Sequence, residues 1–316
     1  MKIIDTHCDA LLKLQLANNG QVYGASPLSF YDAKEIETNV VRLEKGQMMA
    51  QFFAIFVYPD IPDHLKWQHA LEQVDLFYTE ILGKNPQIKH ITKWEQLDEL
   101  KDGEIGAVLT LEGADAFGND LMKLRQLYRL GVMSVGMTWN NANLCADGVG
   151  ESRGGGLTDF GREVVRLNNE HYIFTDVSHA SVQTFWDIID ESDYVIASHS
   201  NARTVCDHVR NLDDEQAKAI FDKGGLVHVV YNPPFINEGR TDATIGDLIK
   251  HIDHFCELGG VKQICFGSDF DGIDNFITKL GHSGEQQNLI NELLKYYSED
   301  EVKGFAYQNF LDHRPK

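Results

Sequence analysis

The chain has 316 residues, with 28 Lys and Arg against 48 Asp and Glu, a formal net charge of −20. That excess of negative charge, with no Lys/Arg cluster, argues against nucleic acid and anionic membrane surfaces as partners, because both reward a basic face that releases counterions. A hydrophobic content of 43% with 24% charged residues belongs to a folded chain with a large core and not to a disordered one.

Apolar runs rich in Val, Ile and Phe recur at residues 2–5, 49–57, 105–111, 132–138, 173–177, 194–198, 226–231 and 263–267. Segments with helical character follow at 32–45, 65–82, 120–130, 159–169, 181–189, 213–223 and 244–257. In the last of these, Ile245, Leu248, Ile249, Ile252, Phe255 and Cys256 keep the i, i+3, i+4, i+7 rule. His251 and His254 are expected on its solvated side. Eight strands alternating with helices predict one α/β domain over residues 1–316, a single (β/α)8 TIM barrel whose closure leaves no open sheet edge. Two long loops, 10–31 after strand 1 and 139–157 after strand 4, would overhang the face where the strands end. The second carries Gly148, Gly150, Gly154, Gly155 and Gly156 and reads as a lid. The longest apolar stretch, 48–58, contains Gln51 and falls well short of the ~20 residues of a spanning helix. The start, Met1-Lys2-Ile3-Ile4-Asp5-Thr6-His7, is unlike a signal peptide, so a cytoplasmic protein is expected. The 5 cysteines form no C-x-x-C pair, which predicts neither a disulfide framework nor a thiolate metal cluster.

Metal-ligating side-chain types collect at the C-terminal ends of the predicted strands, where barrel enzymes build their sites. Strand 1 runs into His7-Cys8-Asp9, whose alternate side chains share one side and can meet one cation. Strand 3 ends in Leu111-Glu112-Gly113, strands 5 and 6 in Val177-Ser178-His179 and Ala197-Ser198-His199, and strand 8 in Gly267-Ser268-Asp269. Closure brings strand 8 beside strand 1. Taken singly, each residue has an ordinary explanation: a helix cap for a carboxylate, a packed hydrogen bond for an imidazole. Three imidazoles and three carboxylates at one rim, however, resist desolvation unless a cation joins them. Nitrogen and oxygen donors without thiolate suit Zn2+, with Mn2+ or Co2+ as substitutes. Two ions balance Asp9, Glu112, Asp269 and a bridging hydroxide, leaving the site near neutrality.

The H-x-D at the start, the L-E-G, the D-V-S-H, the S-H-S and the G-S-D-F-D-G, with Gly156-Leu157-Thr158-Asp159-Phe160-Gly161, resemble the membrane (renal) dipeptidase family of zinc peptidases, peptidase family M19. The resemblance spans most of the chain, in the family's order. It implies that His7 and Asp9 hold one zinc, that His179 and His199 hold the second, that Glu112 bridges them, and that Asp269 is the acid/base. The segment Arg210-Asn211-Leu212-Asp213-Asp214 is similar to the family's carboxylate-binding pattern, which makes Arg210 the anchor of a dipeptide's free carboxylate. Tyr231, ending strand 7, is placed in the substrate pocket by the same likeness. Trp139 stands where mammalian members carry a histidine that contacts the scissile carbonyl, so Asn140 or Asn141 supplies that donor or the metals act alone. The resemblance also implies tolerance of a D-residue at the second position, and pairing into a homodimer.

Two other readings remain open. Many metal-dependent amidohydrolases, among them N-acyl amino acid deacylases and cyclic amidases, also open with H-x-D on a barrel strand. They commonly bridge their metals with a lysine on strand 4, and 132–138 contains none. A non-catalytic barrel that binds metal or peptide would hold zinc without turnover.

Overall fold

The computed structural model describes residues 1–21 and 27–316, so part of the expected loop 10–31 lies outside the described residues. Eight parallel strands form the barrel: β1 (Ile3–Asp5), β2 (Met48–Phe56), β3 (Ile105–Glu112), β4 (Val132–Gly136), β5 (Phe174–Asp176), β6 (Val195–Ala197), β7 (Leu226–Val229) and β8 (Ile264–Phe266). Each pairs with its successor, and closure runs through β1, which pairs Asp5 with Phe266 on one side and Ile3 with Met48 on the other. Apart from the half-buried Glu112, every strand residue is buried. That is why the strands read as continuous apolar runs: a parallel barrel is covered on both faces.

The helices are α1 (Ala10–Asn18), α2 (Val40–Gly46), α3 (Asp63–Leu76), α4 (Leu121–Arg129), α5 (Asp159–Glu170), α6 (Val182–Glu191), α7 (Asp214–Asp222), α8 (Ile245–Glu257), α9 (Gln286–Leu293), α10 (Glu299–Lys303) and α11 (Asn309–His313). Polar N-caps start several of them where the sequence places them: Thr158 accepts from Gly161 N, Ser181 from Thr184 N and Asp213 from Gln216 N. Phe310 of α11 plugs the end of the barrel at which the strands begin, with ring centroids 5.4 Å from Phe52 and 5.6 Å from Trp94. The site is therefore left to the other end. Among the described residues no helix is long and apolar enough to cross a membrane.

Four local departures from the expected elements have identifiable causes. The expected loop after strand 1 contains α1, which buries Leu11, Leu14 and Gln15 and packs on α3 and β2. Apolar on nearly every side, it shows no amphipathic period. The expected helix 32–45 forms only from Val40, because Glu37 N and Thr38 N donate to the Asp271 carboxylate at 2.8 and 3.2 Å and not to a preceding helical turn. An additional strand, Ile88–Ile91, pairs with the first half of β3 (Ile88 with Ile105, Ile91 with Val108), while β4 takes the second half. Four residues with an exposed Lys89 give it little signal. Finally, His251, expected at the surface, is fully buried: its Nδ1 accepts from Ala202 N at 3.1 Å and its Nε2–H donates to Ile236 O at 3.1 Å. It ties the segments after β6 and β7 to α8. His254 is half-buried, with Nε2 2.7 Å from Asp214 Oδ1.

Burial depresses the His251 pKa from 6.5 to about 4. As pH falls the unfolded chain takes this proton first, so the stabilisation is complete above about pH 6.5 and is lost as pH drops toward 4. His251→Ala strands two buried backbone groups and should cost about 2–4 kcal/mol. Urea unfolding at pH 7.5 and pH 5 should show that loss shrinking at the lower pH.

Candidate active site

A carboxylate at the end of β1 sets up one side of the site. Asp5 is fully buried and accepts from His7 N (3.3 Å), Ser268 N (2.9 Å) and Ser268 Oγ (2.5 Å). It thereby locks the exit of β1 to the exit of β8. Across the barrel Asp176, ending β5, makes the same pattern: it accepts from Ser178 N and Ser198 N, both at 2.9 Å, and from Ser198 Oγ. Each carboxylate holds the backbone two residues on and the serine of the adjacent strand. Burial raises the pKa of both, Asp5 to about 6. Neither was singled out by sequence reasoning, although each sits just before a candidate ligand, in D-T-H and D-V-S-H.

Held between these clamps, six of the sequence-predicted side chains meet. His7 Nε2 lies 3.6 Å from Asp9 Oδ2, 3.5 Å from Glu112 Oε2 and 3.7 Å from Asp269 Oδ1. His179 Nε2 lies 3.0 Å from Glu112 Oε1 and 2.8 Å from His199 Nε2, and the rings of His7 and His199 lie tilted at 33° with centroids 3.9 Å apart. Two sets converge within 4.8 Å: His7, Glu112 and His199, and His7, Asp9 and Asp269. His179 and Asp269 have φ values of 68° and 65°, left-handed conformations that cost energy in non-glycine residues and cluster at functional sites. Gly272 must lack a side chain, since a Cβ there would lie 2.2 Å from Asp9 Oδ2.

The electrostatics are frustrated. Burial would depress the His7 pKa, but the Glu112 and Asp9 carboxylates outweigh it and hold the imidazole well above its usual value. Burial opposes ionisation of Glu112, yet His7 and His179 keep it far below the carboxylate range. Burial, with Asp9 and Glu112 nearby, pushes Asp269 well up, and burial and Glu112 raise Asp9 to about 6. Burial and Arg210 lower His179 to about 3.

The donor set fits a cation. Ser198 Oγ gives its proton to Asp176, so it accepts from His199 Nδ1 at 2.7 Å; Asn140 Oδ1 lies 2.8 Å from His179 Nδ1 and accepts there. Both Nε2 atoms are then lone pairs facing one another and Glu112. His7 Nε2 and Asp9 Oδ1 are buried with no hydrogen-bond partner among the described residues. Lone pairs aimed at lone pairs require a positive charge between them, and imidazole and carboxylate donors are those of a divalent-metal site.

Beside this cluster opens a cleft of about 260 Å³, lined in part by Asn140 and Arg210. Arg210 is buried, stacks 5.7 Å over Phe235 and leaves its Nε without a partner among the described residues. Burial lowers its pKa only to about 10, so it stays charged. Asn140, a candidate carbonyl donor, has its amide oxygen turned to His179. Tyr231 does not line the cleft: it is fully buried against Phe270, with its hydroxyl donating to Gln286 Oε1 at 3.0 Å. Strand alternation explains this, because Tyr231 shares the outward face with Val227 and Val229. Asn232 and Phe235 line the cleft on that side. The glycine-rich segment expected to form a lid is tied down, with Val149 N donating to His179 O and Gly150 N to Asn140 O, both at 2.7 Å.

A model of the membrane dipeptidase family, peptidase family M19, matches residues 1–312. An uncharacterized dipeptidase of Schizosaccharomyces pombe is 30% identical over 331 residues, covering 98% of this chain and 79% of that protein. A metallo peptidase from Rhodobacter sphaeroides, solved with a phosphinate mimic of L-Ala-D-Ala, superposes with a TM-score of 0.88 at 24% identity over 99% of both chains. An amidohydrolase from Pseudomonas aeruginosa gives 0.78 at 26% identity over 86% of this chain and 90% of that one.

Ser198→Ala breaks the link between Asp176 and His199 Nδ1 while leaving every candidate ligand in place. Loss of such an outer partner typically weakens metal affinity about 10- to 100-fold. Titrating the apoprotein with Co2+ and following its visible absorption should show that loss.

Proposed function

Because the chain belongs to the membrane dipeptidase family, peptidase family M19, and is therefore a metal-dependent dipeptidase, we propose that its ions are two Zn2+ held by the clustered residues at the barrel rim. His7 and Asp9 take one, His179 and His199 the other, and Glu112 both. The observation that carries this reading is the convergence of five side chains from β1, β3, β5 and β6 with their donor atoms turned on one another. When bound, such ions polarise a peptide carbonyl and make water acidic enough to attack it near neutral pH.

The chain's own residues then divide the remaining work. Arg210, charged and buried beside the cluster, grips the free carboxylate of the second residue, a contact worth roughly 1.5–3 kcal/mol. A longer peptide has no carboxylate at that distance, so dipeptides are selected. The grip reads the carboxylate and not the substituent on Cα, which admits both L,L and L,D substrates. Asp269, 3.7 Å from His7, takes the proton of the attacking water and delivers it to the leaving amine. Asn140 orients His179 by accepting from its Nδ1–H.

Elemental analysis of protein purified without added metal should find about two zinc ions per chain. Hydrolysis of L,L and L,D dipeptides should exceed that of N-acyl amino acids, and the reverse order would overturn the reading. Asp269→Asn should keep its metal and lose at least about 100-fold in kcat. Arg210→Met should instead raise KM roughly 10- to 100-fold.

A further inference from the structure

Opposite Arg210, the cleft has a wall built from aromatic side chains. In the closed order of strands β2 stands four places from β6, so the residues leaving β2 face the segment that carries Arg210. Phe56 ends β2, and its ring lies 5.0 Å from Tyr58 and 5.4 Å from Trp139. Leu12 of α1 completes the wall, and all four line the cleft. None carries a charge, whereas the floor between the two walls is Asp9, Glu112 and Asp269.

With the carboxylate of the second residue at Arg210 and the scissile carbonyl over the floor, the first residue of the substrate lies against this wall. We propose that Leu12, Phe56, Tyr58 and Trp139 form the subsite for the first residue's side chain and select a large aliphatic or aromatic one over glycine or a charged residue. The proposal rests on the dipeptidase reading and adds the class of substrate. Its physical basis is area: an aromatic surface gains from every methylene it covers, and a charged side chain there loses its water without gaining a charged partner among the described lining residues of the wall. A pocket contact of that kind discriminates by about 10-fold or more per side chain.

The test is kcat/KM of the zinc-loaded enzyme on Gly-Ala, Ala-Ala, Leu-Ala, Phe-Ala, Glu-Ala and Lys-Ala, beside the reversed Ala-X series. Leu-Ala and Phe-Ala should exceed Gly-Ala about 10-fold, with Glu-Ala and Lys-Ala lowest and the reversed series flatter. Trp139→Ala should pull the Leu-Ala to Gly-Ala ratio toward unity. Because Trp139 also packs on His179, with centroids 6.0 Å apart, Tyr58→Ala repeats the measurement from a residue whose ring packs on Phe56. Turnover with a flat first-residue profile, or an unchanged ratio in both variants, overturns the subsite alone. Absence of turnover on every dipeptide overturns the dipeptidase reading and the subsite with it.

Discussion

Three carboxylates and three imidazoles packed within a few ångströms of one another are the constraint around which this molecule is organised. No arrangement of protons on these groups satisfies all of them. Burial favours neutral forms, mutual attraction favours charged ones, and the result is an imidazole held above its range beside a carboxylate held below it. Under the function proposed above, a divalent cation resolves this conflict in one step. The surrounding structure then has the task of holding the six groups together in the cation's absence.

That task falls to the backbone ends of the strands. Asp5 and Asp176 each spend a buried carboxylate on two backbone N–H groups and a serine hydroxyl of the neighbouring strand. The two clamps fix the exits of β1 with β8 and of β5 with β6, which are the exits that carry His7, Asp269, His179 and His199. They do so without offering a free oxygen to the metal. The left-handed backbone at His179 and Asp269 is the local cost of turning these side chains inward, and it is affordable because the clamps and the barrel hydrogen bonds determine the chain path on both sides. A cleft with a charged floor, a buried arginine on one side and an aromatic wall on the other follows from which strands adjoin which.

Much of this was legible in the chain. Continuous apolar runs alternating with helical segments identify a parallel barrel because strands buried on both faces have no polar alternation, and the ligand types stand at the run ends because that is where a barrel strand leaves its core. Tyr231 was placed in the pocket by the family likeness alone, whereas the period of two from Val227 and Val229 puts it on the covered face. His251 read as solvated because a helix pattern shows where the core lies and not which loops fold over the helix; the segments after β6 and β7 bury it.

The sequence by itself determined the eight barrel strands, their closure, the family and the six groups that meet, since each depends on local periodicity or on residue type at a strand exit. Tertiary structure alone decided which nitrogen of each histidine is free, which serine completes which carboxylate, and that Trp139 joins Phe56 and Tyr58 in one wall. Those relations link residues up to 263 positions apart, as Asp5 and Ser268 are. They are set by strand register and loop path, quantities that no window of neighbouring residues contains.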